Sequence, residues 1–303
     1  MTRPAPLPVE LGEQFLVSTA LASGIGPGRL RRTDLSSPFR GVRSRSAPST
    51  SREMARALGP ILSEDQWFSA VTAADLQGMR MPEHFSSSPL HVTTWNSHRA
   101  MRRPGVIGHK TNRRPELRRT ADGLPVTSPT AAWLECGAQL AVDELTVMAD
   151  GLLSRHHPLT TIEDLRAAAR AMTGLRGSAR LQEALRLSRP GTDSARETLL
   201  RLAVVRAGFP EPVVNAPIRD PRGRMVAHGD LVWPEFRVVL EYEGRQHAED
   251  SRQFAIDIRR LDDIAALEYR VIRVDRQLFA ARSDLLQRIS GALVRGGWSP
   301  RGR

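Results

Sequence analysis

Three carboxylates with the right spacing for metal chemistry stand close together in this 303-residue chain: Asp230 in HGDLVW, and Glu241 and Glu243 in RVVLEYEG. The second stretch otherwise reads as a buried strand, and residues two apart share one strand face. Two acids on a face beside Val238, Val239 and Leu240 are costly unless cations or hydrogen-bond donors compensate them. Carboxylate oxygens so paired suit a hard divalent cation, Mg²⁺ or Mn²⁺, which polarises a phosphodiester and lowers the pKa of a bound water. The alternative is a hairpin end whose acids face solvent or pair with Arg245 and Arg270.

Two strands must position these acids, His228 to Trp233 and Phe236 to Glu243, joined at Pro234-Glu235. If Trp233 and Phe236 close a two-residue turn, Asp230 lies opposite Val239 and diagonal to Glu241, with Glu243 further along the same face. A slip of one residue would send Asp230 to the other face. Upstream, SARETLLRLAVVRAG predicts a helix from Ser194 to Ala207, stopped by Gly208 and Pro210. Ser194-x-x-Glu197 has the form of a capping box, so Glu197 has a structural role open to it as well as a catalytic one. Ser188-Arg189-Pro190-Gly191 marks a boundary and sets the last domain at 191–303.

HGDLVWPEFRVVLEYEGRQH, followed by FAIDIRRLDDI and YRVIRVD, resembles the very-short-patch-repair-like branch of the PD-(D/E)XK endonuclease superfamily. The resemblance covers about a third of the chain. It implies a restriction-endonuclease-like α/β domain, a mixed sheet flanked by helices. On it, Asp230 and Glu241 hold the metal, Glu243 stands where the superfamily more often has lysine, and His247 lies close to the scissile phosphate. Glu197 matches the superfamily's optional helix-borne acid. Lys110 is the only lysine in the chain and is far away in sequence, which moves water activation to the metal and to His247. Asp257 and Arg260, three residues apart, read as a structural or solvated pair.

The formal net charge is +11. Residues 1–120 hold 18 Lys and Arg against 9 Asp and Glu, whereas residues 121–190 hold 7 against 8 and residues 191–303 hold 19 against 16. A basic excess at one end attracts polyanions by counterion release, and makes nucleic acid the leading partner; Arg-rich coding without binding is the alternative. The N-terminal segment EQFLVSTALASGIGPGRLRR predicts a short helix-turn-helix, with Gly24 to Gly26 breaking it and Pro27 starting the second helix. LSSPFRGVRSR then reads as a basic wing or hairpin. Arg29, Arg31, Arg32, Arg40 and Arg43 are the candidate DNA contacts. LHVTTW alternates like a strand, Val106–Ile107 is a short apolar strand in a basic, turn-rich stretch, and Thr127-Ser128-Pro129 opens a helix. Helices over about 142–153, 161–172 and 179–187 complete a connector. FLVSTALASGIGPGRLRR, PFRGVR and GLPVTSPTAAWLE resemble the antitoxin-like winged-helix proteins of the abortive-infection E family, which implies DNA binding or a regulatory ancestry.

The chain is 40% hydrophobic and 25% charged, an ordinary globular composition. Nothing approaches the roughly 20 uninterrupted apolar residues of a membrane span, and the first residues lack a signal-peptide core, so the expectation is a cytoplasmic protein with no membrane partner. Cys136 is the only cysteine and sits in an apolar helical stretch, which fits a buried, inert thiol. The reading is an α/β chain, α+β overall: a basic winged-helix-like DNA-binding region (1–123), a helical connector (124–190) and a nuclease-like domain (191–303). The expected function is Mg²⁺- or Mn²⁺-dependent cleavage of DNA. The alternative is a non-catalytic DNA-binding regulator or antitoxin-like protein, which would have a cognate toxin as partner; RNA-directed activity stands third.

Overall fold

The computed structural model describes residues 5–82, 89–96, 99–243 and 262–300. The chain is mixed α/β and divides into two compact units, one formed by Met1–Leu145 with Arg166–Gln182 and the other by Thr146–Leu165 with Glu183–Arg303. The stretch 124–190, read as a connector, is shared out between the two. Among the described residues no helix is long and apolar enough to cross a membrane.

The first unit opens with strand β1 (Gln14–Leu16), helices α1 (Val17–Ala22) and α2 (Pro27–Leu30), and strand β2 (Val42–Ser44). β2 pairs antiparallel with β1, Phe15 opposite Arg43. The helix begins at Val17 and not near Phe15, and the basic segment read as an extended wing or hairpin is extended, with Ser44 bridging Ser36 antiparallel and Val42–Ser44 pairing with β1. Burial is the reason, because Phe15 and Val42 are both enclosed, and each short strand satisfies the other's backbone groups. Helix α3 (Ser51–Leu58) follows, started by a complete capping box between Thr50 and Glu53.

A six-stranded sheet then forms from β3 (Gln66–Phe68), β4 (Leu90–Trp95), β5 (Arg102–Arg103), β6 (Val106–Thr111), β7 (Leu117–Arg119) and β8 (Pro125–Thr127), in the order β5-β6-β4-β3-β8-β7. Helix α4 (Ala70–Leu76) leaves β3 directly, and α5 (Pro129–Cys136) leaves β8 with Ser128 at the cap and Pro129 in the first turn. Ser128 makes no side-chain capping bond, so Pro129, with its preset φ, is the stronger start signal. Trp67, Phe68, Val92, Val126 and Trp133 are fully buried, and the Trp133 indole donates to the Leu145 carbonyl at 2.9 Å. Cys136 is buried and burial pushes its thiol well above the ordinary range, leaving little nucleophilic thiolate.

Helices α6 (Val142–Leu152), α7 (Ile162–Ala171) and α8 (Ser178–Leu187) contribute residues to both units. The second unit continues with α9 (Ala195–Arg206), β9 (Val213–Arg219), β10 (Met225–Trp233), β11 (Val238–Tyr242), β12 (Arg270–Val274), α10 (Arg276–Ala280) and α11 (Arg282–Arg295). The sheet order is β12-β11-β10-β9; β9, β10 and β11 are antiparallel, and β12 runs parallel to β11. Alternation sends Leu231, Trp233, Val238 and Leu240 to one face, against Leu200 and Val204 of α9 and Leu285, Ile289 and Leu293 of α11. Val232 and Val239 face the other way, with Ile218 and Ile264. Pro217 is tolerated because β9 is an edge strand.

One buried ion-pair cluster anchors α9. The Arg201 side chain is 1% exposed and meets the fully buried Asp150 at 3.2 Å. It also reaches Glu211 at 3.2 Å and the Leu187 carbonyl at 2.7 Å. Asp150 accepts further bonds from the Arg189 N–H (2.8 Å) and the Thr198 hydroxyl (3.0 Å).

Candidate active site of the C-terminal unit

The β10–β11 connection fixes where Asp230 meets the other acids. Pro234–Phe236 form a turn of 3₁₀ helix and Arg237 follows in the left-handed region, φ 51°. The two-residue turn is therefore replaced by a longer loop. Hairpin turns of two residues require positive φ in the first central position, which the proline ring forbids at Pro234. Trp233 now pairs with Val238, Val232 with Val239 and Leu231 with Leu240, a register moved by two residues from the expected one. An even shift preserves faces. The alternation of β10 breaks around Asp230, because Ala227 and Val232, five residues apart, pack in one cluster and the Gly229 position also points at Val232 and Val239; the same register extended by one step sets Asp230 across from Glu241 instead of Val239.

The regular ladder stops at Leu231 and Leu240. Beyond it the Asp230 carboxylate accepts the Tyr242 N–H at 2.8 Å, taking a bond that a strand carbonyl would otherwise take. Glu241 is opposite Arg273 in the parallel pairing of β11 with β12. The Glu243 N–H continues that pairing to the Val274 carbonyl at 2.9 Å, and the Glu243 carboxylate forms an ion pair with Arg273. Arg273 was not singled out by the sequence. Arg270, the residue that was, lies opposite Val238 at the other end of β12.

Glu197 is buried in the first turn of α9. The Ser194 hydroxyl accepts the Glu197 N–H at 3.1 Å, one half of the expected capping box. The Glu197 carboxylate accepts from the Asp193 N–H (2.8 Å) and from the Asn215 side-chain amide (3.1 Å). Asn215, in the left-handed region at φ 44°, lies between the pairs Val214–Leu231 and Ala216–Gly229, level with Asp230. The helix-borne acid is thereby tied through one amide to the strand position beside Asp230.

His247 lies outside the described residues, as do Arg245, Asp257 and Arg260. Among the described residues no three His, Cys, Asp or Glu side chains gather as a metal cage. Of the basic side chains proposed for DNA, Arg31, Arg32 and Arg40 are exposed. Arg29 pairs with Asp34 at 2.8 Å and donates to the Ala5 carbonyl at 2.6 Å. Arg43 donates to the carbonyls of Leu30 (2.7 Å) and Val42 (2.9 Å).

Neither protein-family models, nor curated proteins, nor solved structures gave a match to this chain.

Proposed function

We propose that the protein is a DNA endonuclease that uses Mg²⁺ or Mn²⁺, with Asp230 and Glu241 as the metal-binding pair. The observation that carries this reading is the register of β10 against β11, which sets Asp230 across from Glu241 at the level where the ladder ends, with the Asp230 carboxylate drawn to β11 by the Tyr242 N–H. The donor chemistry fits: Mg²⁺ is commonly held by one or two carboxylates, with waters and substrate phosphates completing its shell. Bound there, the cation would neutralise charge on the phosphodiester and acidify a water. Asp230 is oriented by the Tyr242 N–H, while the Glu243–Arg273 pair and the Glu197–Asn215 bond brace the two sides of the pair. His247 is assigned the phosphate contact or the proton transfer. The mixed sheet with helices over it supports the restriction-endonuclease-like reading, and the basic N-terminal region supplies general DNA affinity.

A second reading is favoured by a specific observation: Asp230 and Glu243 each have a structural partner, as expected of a DNA-binding regulator that keeps the fold without the chemistry. One experiment separates them. Duplex DNA is incubated with protein and Mg²⁺, Mn²⁺ or EDTA, and Mn²⁺-dependent thermal stabilisation is measured alongside. Asp230→Asn, which retains an acceptor for the Tyr242 N–H, and Glu241→Gln are expected to abolish cleavage and the Mn²⁺ stabilisation. His247→Ala is expected to slow cleavage by roughly 10²-fold, the scale of a lost acid–base group. Stabilisation by metal without cleavage selects the regulator; cleavage that persists in Glu241→Gln rules out this site.

A further inference from the structure

The first unit contains a cleft of about 620 Å³ that none of the preceding reasoning uses. Its size is within the ~300–1,000 Å³ range of small-molecule sites. Leu134, Met172 and Leu175 give it apolar walls, His109 and Glu135 bring polar groups to it, and Lys110, Arg113 and Arg114 also line it, all three exposed.

The polar groups are held by neutral partners. One oxygen of Glu135, Oε2, accepts both the Ala70 N–H (2.7 Å) and the Thr127 hydroxyl (3.1 Å). Oε1 has no protein partner among the described residues, and no Arg or Lys pairs with the carboxyl. The bond to Ala70 is made from a strained backbone: Ala70 is buried and sits at φ 47°, a region L-residues other than Asn and Asp avoid. His109 Nε2 lies 3.0 Å from His91 Nδ1, and burial lowers the pKa of both rings. The second ring nitrogen of His109 has no protein partner among the described residues. Arg114 is steadied by its guanidinium lying 4.9 Å above the Trp95 ring, and among the described residues Lys110, Arg113 and Arg114 form no salt bridge.

An apolar slot bearing an unshared carboxyl oxygen calls for a flat, hydrogen-bonding ring with a donor on its edge; three unpaired cations call for an anion joined to that ring. We propose that this cleft binds a nucleotide whose base carries an exocyclic amine, with the amine on Glu135 Oε1, the base edge at His109, and the phosphate at Lys110, Arg113 and Arg114. Burial, which lifts the Glu135 carboxyl to about 7, marks the same group as one kept short of compensating charge. The proposal does not depend on the nuclease reading of the other unit.

The test uses the full chain in EDTA, so that no divalent ion bridges ligands to the acids of the C-terminal unit, with calorimetric titration of dAMP, dCMP, dGMP, TMP, inorganic phosphate and a short single-stranded oligonucleotide. The amino-bearing nucleotides are expected to bind roughly tenfold more tightly than TMP, the value of one good hydrogen bond. Lys110→Ala with Arg113→Ala, both at exposed positions, is expected to weaken them by at least about tenfold with an unchanged melting curve. In Glu135→Gln the amide oxygen is held by the Ala70 N–H, so its NH₂ is the group offered to the ligand, and the preference should turn toward TMP. Asp230→Asn should bind as wild type. Binding of the oligonucleotide but not of the monophosphates would assign the site to a nucleotide within a strand and supports the proposal. It is overturned if inorganic phosphate binds as tightly as the nucleotides, if the Lys110/Arg113 double variant binds normally, or if Asp230→Asn removes binding.

Discussion

Asp150 in the C-terminal unit and Glu135 in the N-terminal unit are handled in opposite ways. In the C-terminal unit, Asp150 is matched by the Arg201 guanidinium, which also meets Glu211, and Glu243 by Arg273. Around the cleft of the N-terminal unit, Glu135 is matched only by an N–H and a hydroxyl, and His109 by another histidine. An acid given a full countercharge is locked to the element that carries it, and has little left to offer a ligand. An acid given neutral donors on one oxygen keeps its other oxygen available, and burial without a countercharge favours its protonated form. At the β10–β11 end, Asp230 accepts a backbone N–H, and Glu243 pairs with Arg273 at a part-exposed position.

Breaking the paired side should cost the most. Arg201→Met leaves Asp150 buried without its cation, and loss of one partner from a buried pair costs about 3–5 kcal/mol. Denaturant unfolding of the C-terminal unit should shift by that amount, and Arg201→Met combined with Asp150→Asn should recover much of it, because the orphaned charge is gone. A loss under about 1 kcal/mol in the single variant would mean that the pair does not anchor α9, and the contrast between Asp150 and Glu135 would fail.

The neutral side should reveal itself through pH. Burial, opposed by the Ala70 and Thr127 donors, raises Glu135 from 4.5 to about 7 in the fold. Its protonated form is thus favoured by folding, and this stabilisation is complete below the unfolded value and is lost as pH rises through 7. Burial raises Asp150 in the same direction, despite Arg201, so the Glu135 share has to be isolated by substitution. Burial first and the His109 charge second lower His91 from 6.5 to about 4. That contribution has the opposite sign, present above 6.5 and lost as pH falls toward 4. Melting temperatures from pH 4 to 8 should fall at both ends in wild type. Glu135→Gln should flatten the alkaline fall and His91→Gln the acid one. Identical profiles in wild type and Glu135→Gln would show that the carboxyl is not desolvated.

How much of this was legible beforehand follows from how local each feature is. LHVTTW forms β4 over the same residues, Pro129 starts α5, and the helices of the middle region begin and end within a few residues of their expected bounds. The register of Asp230 differs by two residues from the expected one, and the break in alternation beside it, where Asn215 takes a left-handed φ, has no signal in a pattern of period two. Pro234 carried the information needed to foresee the two-residue shift. β9 was missed because Asn215 and Pro217 interrupt its pattern, and the pairing of β2 with β1 was not foreseen because nothing in its own residues names that partner. Arg201 and Asp150 are 51 positions apart, so their pairing has no local signature. The cleft is the extreme case: Ala70, His91, His109 and Glu135 come from four separate elements and form no motif in sequence.

The smallest effects should separate the arginines that build the N-terminal core from those left to meet DNA. Arg43 spends its guanidinium on the carbonyls of Leu30 and Val42, so Arg43→Ala removes two charge-assisted bonds at a half-buried site and should destabilise the unit by about 1–3 kcal/mol. Arg31 and Arg40 are exposed, and Arg31→Ala with Arg40→Ala should leave the melting temperature within the scatter of ordinary surface changes. Binding should report the reverse order. If Arg31 and Arg40 contact phosphates, the double variant should weaken binding across unrelated duplex sequences and lower the slope of log K against log salt by roughly 2, about one for each lost contact. Arg43→Ala, measured at a temperature where it is folded, should leave that slope unchanged. A double variant with the wild-type salt slope would remove these two residues from the DNA surface, and a reduced slope in Arg43→Ala would show that the strand pairing of β1 with β2 opens when DNA is bound.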